Sequence, residues 1–148
     1  MPADRSFVGR NDVERARLHA VVASLSDADL QRSLSNGWTV SAVLAHIAFW
    51  DRRALVLLAR WERQGVQEAP EDAGAINDAA LPEWLALPPR VAADLALAAA
   101  DAIDEKLATM SDGLLEAILG LKSAINLDRG DANRSEHLDE IEQSLRVK

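Results

Sequence analysis

The sequence predicts an all-α protein, a bundle of four long helices with short extra helices, and three observations lead there. Glycine and proline are scarce, 7 and 5 of 148 residues, while Ala, Leu, Arg, Glu and Asp, which form helices readily or cap their ends, fill long stretches. Apolar residues make up 49% of the chain and recur at helical spacing, and no segment alternates convincingly as a strand does. Each amphipathic stripe has to be buried against others, so a bundle forming one domain over residues 1–148 is the economical arrangement.

The elements follow in order. Asn11 and Glu14 have the spacing of a capping pair for a first helix that carries Val13, Leu18, Val22 and Leu25 and runs to Ser24. Ser26 and Asp27 start a short turn of helix through Leu34, broken by Ser35-Asn36-Gly37. Thr39 or Ser41 caps a long second helix ending near Gln64, with Gly65 as its left-handed stop and a stripe of Val43, Ile47, Trp50, Ala54, Leu57, Leu58 and Trp61. Residues 65–76 read as a surface loop, and Asn77 to Leu87 as a short helical piece interrupted at Pro82. Pro88 and Pro89 open an Ala-rich third long helix through Met110, and Ser111 caps a short helix closed by Gly120. The last helix starts near Asp131 and runs almost to Lys148, with a tip, Arg146-Val147-Lys148, expected to fray.

Several function classes are excluded or disfavoured. With no cysteine there is no disulfide, thiolate metal site or cysteine nucleophile. A net charge of −8 opposes binding to nucleic acid or anionic lipid. No apolar run approaches the ~20 residues that span a bilayer, and Met1 to Arg10 lack a secretory pattern, so a cytoplasmic protein without membrane attachment is expected. Gly-rich phosphate loops, G-x-S-x-G elbows and H-E-x-x-H pairs are absent. The arginines Arg52, Arg53, Arg60 and Arg63 read as a solvated helix face, His19 as a surface or boundary residue, and the four tryptophans as core or subunit contacts.

Candidate chemistry gathers on two helix edges. An α-helix advances about 100° per residue, which sets His46 roughly 70° from the middle of its stripe, beside Arg53 and Leu57. The last-helix stripe is Leu138, Ile141 and Leu145, and His137 lies on its edge in line with Asn133, Glu140 and Ser144. Two such histidines can meet across a groove, which is how a bundle builds a metal site, although hydrogen-bonded structural histidines are the commoner outcome. Trp50, one turn beyond His46, and Arg53 are expected to wall the pocket and contact a ligand. Arg134 falls near the centre of an apolar stripe and needs a partner: either Asp51, as a structural pair, or a substrate carboxylate or phosphate, as a catalytic group.

The run Gly37-Trp38-Thr39-Val40-Ser41-Ala42-Val43-Leu44-Ala45-His46-Ile47-Ala48-Phe49-Trp50-Asp51 closely resembles the second-helix motif of the DinB-like (YfiT-like) superfamily. Glu136-His137-Leu138-Asp139-Glu140-Ile141 resembles its last-helix motif, and Ile76-Asn77-Asp78-Ala79 with the run after Pro88-Pro89 its third-helix region. The resemblance implies an up-down-down-up four-helix bundle, often a homodimer, with a divalent metal such as zinc or nickel held by three side chains. His46 and His137 match two of these, and the third position, four residues before the last histidine, is Asn133. An amide oxygen is a weaker zinc ligand than imidazole or carboxylate, so a weakened site is implied, with Glu140 as the alternative third ligand. The resemblance further implies a transferase or isomerase using a low-molecular-weight thiol, whose thiolate attacks an electrophilic carbon. In that reading Arg134 orients an anionic thiol or substrate. The competing readings are a non-catalytic bundle that binds a small ligand or a protein partner without metal, and a structural, self-associating protein.

Overall fold

A computed structural model describes residues 4–146 and is helical throughout, with a single isolated antiparallel bridge, Ser33 to Thr39, among them. The helices are α1 (Phe7–Ser24), α2 (Asp27–Leu30), α3 (Val40–Gln64), α4 (Ala73–Ala86), α5 (Pro89–Thr109), α6 (Asp112–Leu119) and α7 (Ser135–Arg146), the last preceded by a π turn, Gly130–Arg134. The two terminal residues of the tip expected to fray, Val147 and Lys148, lie outside the described residues, as do Met1, Pro2 and Ala3 of the first segment.

The long helices α1, α3, α5 and α7 form the all-α bundle. Helix α3 lies along α5, where Ala92, Ala93, Ala96, Ala99 and Ala100 are all buried and let the two backbones approach closely. Helix α1 packs against α5 and α7, and α4 covers the flank of α3. That cover explains why every residue from Val40 to Ala48 is buried, a wider face than a single stripe. Caps hold the joints: Ser26 forms a reciprocal capping box with Asp29, Thr39 accepts from the Ala42 N–H at 3.1 Å, and Ser111 accepts from that of Leu114 at 3.1 Å.

Four local expectations are corrected. Helix α1 begins at Phe7, so Asn11 sits inside the helix, buried rather than capping; its amide donates to the Leu127 carbonyl and accepts from the Gly130 N–H, both at 3.0 Å. Val13 faces solvent instead of the core. The turn after Ser26 is helical only to Leu30, because the chain then bends into the Ser33 to Thr39 bridge over Gly37, at φ 85°. Helix α4 starts at Ala73 and passes through Pro82 without interruption. The carbonyl that Pro82 cannot satisfy is that of Asp78, an exposed residue on the open side of the helix where solvent can take the place of the missing N–H.

The interior holds a group of charges. Arg134, fully buried, donates to both oxygens of Asp104 at 2.7 and 2.8 Å, to Asp51 at 3.2 Å and to the Asn11 carbonyl at 3.2 Å. Asp51 also accepts from Arg129 Nε at 2.9 Å. Burial works against the Arg134 charge, but its hydrogen bonds to Asp104 and the charges of Asp51 and Asp104 outweigh it and hold its pKa above the ordinary value. Burial pushes the Asp104 carboxyl up while Arg134 pulls it down. The two short, parallel bonds identify an ionised pair. Removing one partner of a buried pair costs roughly 3–5 kcal/mol. Asp104→Asn is therefore expected to lower the unfolding free energy by about that amount in a denaturant titration; an unchanged midpoint refutes the role.

Candidate functional site

The two histidines face each other. Their ring centroids are 4.8 Å apart at 79°, and His46 is further enclosed by the edges of Trp38 at 5.5 Å and Trp84 at 5.3 Å. His46 is buried and His137 half-buried, and the Nδ1 atom of each is shielded from solvent without a hydrogen-bond partner among the described residues. Glu140 comes no closer than 3.7 Å to His137 Nδ1.

Beside His46 opens a cavity of about 300 Å³, at the lower end of small-molecule sites. From α3 come His46, Trp50 and Arg53; from the head of α4, Asn77; from the π turn and the segment before it, Arg129 and Asn133. Trp50 donates its indole N–H to Asn77 Oδ1 at 2.8 Å. Arg53 lies 5.6 Å from the centre of the Trp50 ring and pairs with Glu71, also on the wall, at 3.0 Å. His46, Trp50, Arg53 and Asn133 are thus brought together, while His137 backs onto His46 from outside the cavity wall.

Arg134 does not reach this cavity. Its guanidinium is committed to Asp104 and Asp51 with no exposed surface, which corrects the expectation of a substrate-orienting group and leaves the structural alternative. Besides Arg53, the cation on the wall is Arg129, five residues before Arg134 and missed by sequence reading. Arg129 is buried, with Nε on Asp51 and Nη1 on the Asn126 carbonyl at 3.3 Å. Its position just ahead of the last helix carries no periodic signal. Asn77 and Glu71 were equally invisible, because their placement depends on how α4 folds back on α3.

The π turn explains how adjacent residues serve different ends. Its wider winding lets Asn133 face the cavity while Arg134 enters the core. Asn133 donates its amide to the Ile47 carbonyl of α3 at 3.0 Å, which leaves Oδ1 as its free polar atom. A Cβ added to Gly130 meets the Arg10 carbonyl oxygen at 2.9 Å, so the turn rests on α1 through a residue that has to be glycine.

These donors do not fit a three-ligand metal centre. The described residues contain no group of three His, Cys, Asp or Glu side chains placed to hold an ion. The third position is a neutral amide already tied to the backbone, and Glu140 sits beyond His137 rather than at the cavity.

Burial, then the charge of His137, lowers the His46 pKa to about 4 from 6.5, against a weaker upward pull from Asn77. The unfolded chain therefore takes up a proton at His46 between pH 6.5 and 4 that the folded chain refuses, so this residue's contribution to stability is present above pH 6.5 and lost as pH falls. At 1.36 kcal/mol per unit the loss is on the order of 3 kcal/mol. His46→Gln is expected to flatten the fall of the thermal midpoint with acidification across that window; parallel curves for the two proteins rule the effect out.

No helix among the described residues is long and apolar enough to cross a membrane. No curated protein and no solved structure matches the chain. Residues 12–118, which carry His46, Trp50, Arg53 and Asn77 but stop short of Arg129, Asn133 and His137, match a family described as the mycothiol maleylpyruvate isomerase N-terminal domain. That span is most of the chain, and the protein therefore belongs to this family, within the DinB-like superfamily.

Proposed function

We propose that this protein binds a low-molecular-weight thiol of the mycothiol class, or a conjugate of one, in the cavity beside His46, by hydrogen bonding and guanidinium contacts rather than through a three-ligand metal. The observation that carries the reading is that three buried polar side chains, His46, Arg129 and Asn133, converge on one ligand-sized cavity in a chain of the mycothiol maleylpyruvate isomerase N-terminal family. A neutral imidazole accepts a hydrogen bond from a thiol, and a nearby guanidinium favours the thiolate. Trp50 supplies an apolar wall for the rest of the ligand.

A second reading, a metal-dependent thiol transferase or isomerase, is favoured by one observation, the two solvent-shielded imidazole nitrogens without hydrogen-bond partners among the described residues. A divalent metal there supplies thiol acidification. His46 and His137 are its candidate holders, and Asn133 is the deficient position. The proposal extends to a homodimer, supported by exposed apolar side chains such as Val56 on α3, and sedimentation at micromolar concentration tests it.

Calorimetric titration with mycothiol is expected to give saturable binding that His46→Ala weakens, and the absence of heat and of any tryptophan fluorescence change sinks the binding reading. Zinc titration separates the two readings. The native chain is expected to bind zinc weakly and without a fixed stoichiometry, whereas Asn133→His restores a third imidazole and one tight equivalent, at the expense of about 1 kcal/mol from the lost bond to Ile47. Tight, equimolar zinc in the native chain, abolished by His46→Ala, overturns the metal-free reading in favour of the second.

A further inference from the structure

Of the five asparagines in the sequence, one, Asn36, is followed by glycine. The fold requires that glycine. Leu34 and Trp38 close a tight turn in which the Gly37 N–H donates to the Leu34 carbonyl at 3.0 Å and the Leu34 N–H to that of Trp38 at 2.7 Å. Position 37 takes φ 85°, which side chains disfavour, and open space surrounds it. The Gly37 nitrogen therefore has no Cβ beside it to hold off the side chain of Asn36. Asn36 is exposed, and its Oδ1 accepts from the Trp38 N–H at 3.0 Å. That bond folds the amide back along the Gly37 peptide and polarises its carbonyl, as a donor does for any carbonyl oxygen on which charge develops.

We propose that Asn36 is a site of spontaneous covalent modification, at which the Gly37 nitrogen closes on the side-chain amide. The Gly37 N–H gives its proton to water or hydroxide, and the nitrogen's electron pair forms a bond to Asn36 Cγ. The bond from Cγ to Nδ2 breaks, and ammonia leaves with a proton from solvent. The cyclic imide then takes up one water at either carbonyl, giving aspartate or its iso form, in which the main chain runs through the side-chain carbon. In sum, one amide and one water become one carboxylate and one ammonium, with nothing oxidised or reduced. The bond from Gly37 to Leu34 opens first, at the small cost of a local opening in a surface turn.

The product bears on the site because Trp38 comes next in the chain, with its ring 5.5 Å from that of His46 and 5.8 Å from that of Trp84. The iso form inserts one methylene between residues 36 and 37 and takes away the acceptor of the Trp38 N–H. The pairing of Leu34 with Trp38, and of the Val40 N–H with the Arg32 carbonyl at 3.0 Å, then loses its register. Lengthening of the chain, more than the new surface charge, is what reaches the enclosure of His46.

Asn126 is the internal control. It too is exposed, and its Oδ1 accepts from the N–H two residues on, that of Asp128, at 2.9 Å, but the residue between is Leu127. Trypsin releases residues 33–52 and 123–129 as peptides with one side-chain amide each. After weeks in mildly alkaline buffer, the peptide 33–52 is expected to gain the mass of an amide turned acid and to split into two products, while 123–129 keeps its mass. Equal conversion of the two peptides overturns the proposal. So does an unchanged 33–52 under conditions in which the same peptide, free in solution, converts. Anion exchange then separates the modified chain, whose iso form is expected to show a shifted Trp38 indole N–H resonance. Asn36→Asp, which brings the charge without the added methylene, is expected to leave that resonance near its native position. An unmoved Trp38 signal in the iso form, or an equal shift in Asn36→Asp, refutes the link from chain lengthening to the His46 enclosure.

Discussion

The interaction on which the rest depends is the buried Arg134 carboxylate pair. One guanidinium at the start of the last helix reaches a carboxylate on α5, another on α3 and a carbonyl on α1, so all four long elements of the bundle meet at a single side chain. Hydrophobic packing tolerates sliding between Ala-rich faces, because one small methyl replaces another at little cost. A bidentate ion pair does not slide, since displacement by a fraction of a bond length leaves charges unpaired in a medium that penalises them heavily. The group fixes helix register even where an apolar replacement of equal volume matches it in stability.

Asp51 carries that constraint outward. One of its oxygens faces Arg134 in the core and the other faces Arg129 at the cavity, so the residue that locks α3 to the last helix also holds Arg129 at the cavity wall. The π turn lies between the two arginines and is held from the opposite side by α1, where Asn11 accepts the Gly130 N–H and the Arg10 backbone leaves no room for a side chain. Cavity geometry and bundle assembly are therefore one problem here, and the wall from Arg129 to Asn133 moves only if the core moves with it.

Much of this was readable in the amino-acid order, for an identifiable reason. The α3 stripe, the stops at Gly65 and Gly120, the caps Thr39 and Ser111, and the edge positions of His46 and His137 are all set by local periodicity and backbone preference. The need of Arg134 for an acidic partner was equally legible, because a charge in an apolar stripe is anomalous wherever the helix packs. What escaped were features settled by contacts distant in sequence. Asn11 looks like a cap until the loop near Leu127 and Gly130 arrives to use its amide. Pro82 looks like a breaker until Asp78, whose carbonyl it leaves without an N–H, proves to be an exposed residue. Asp104 was one acid among many on an Ala-rich helix, and Arg129 one arginine in an irregular segment. Neither could be singled out before α5 and the π turn were docked.

The same geometry decides which charges the cavity presents. A metal centre concentrates positive charge between its ligands, and surrounding groups are arranged to accommodate that charge. Here the residue in the third position spends its donor on a carbonyl of α3 and stitches the π turn to that helix. Positive charge enters the cavity from a guanidinium instead, held at the wall by a carboxylate that the core already requires. Because Arg129 draws its support from Asp51, and Asp51 from Arg134, the guanidinium on the cavity wall is built into the packing of the bundle.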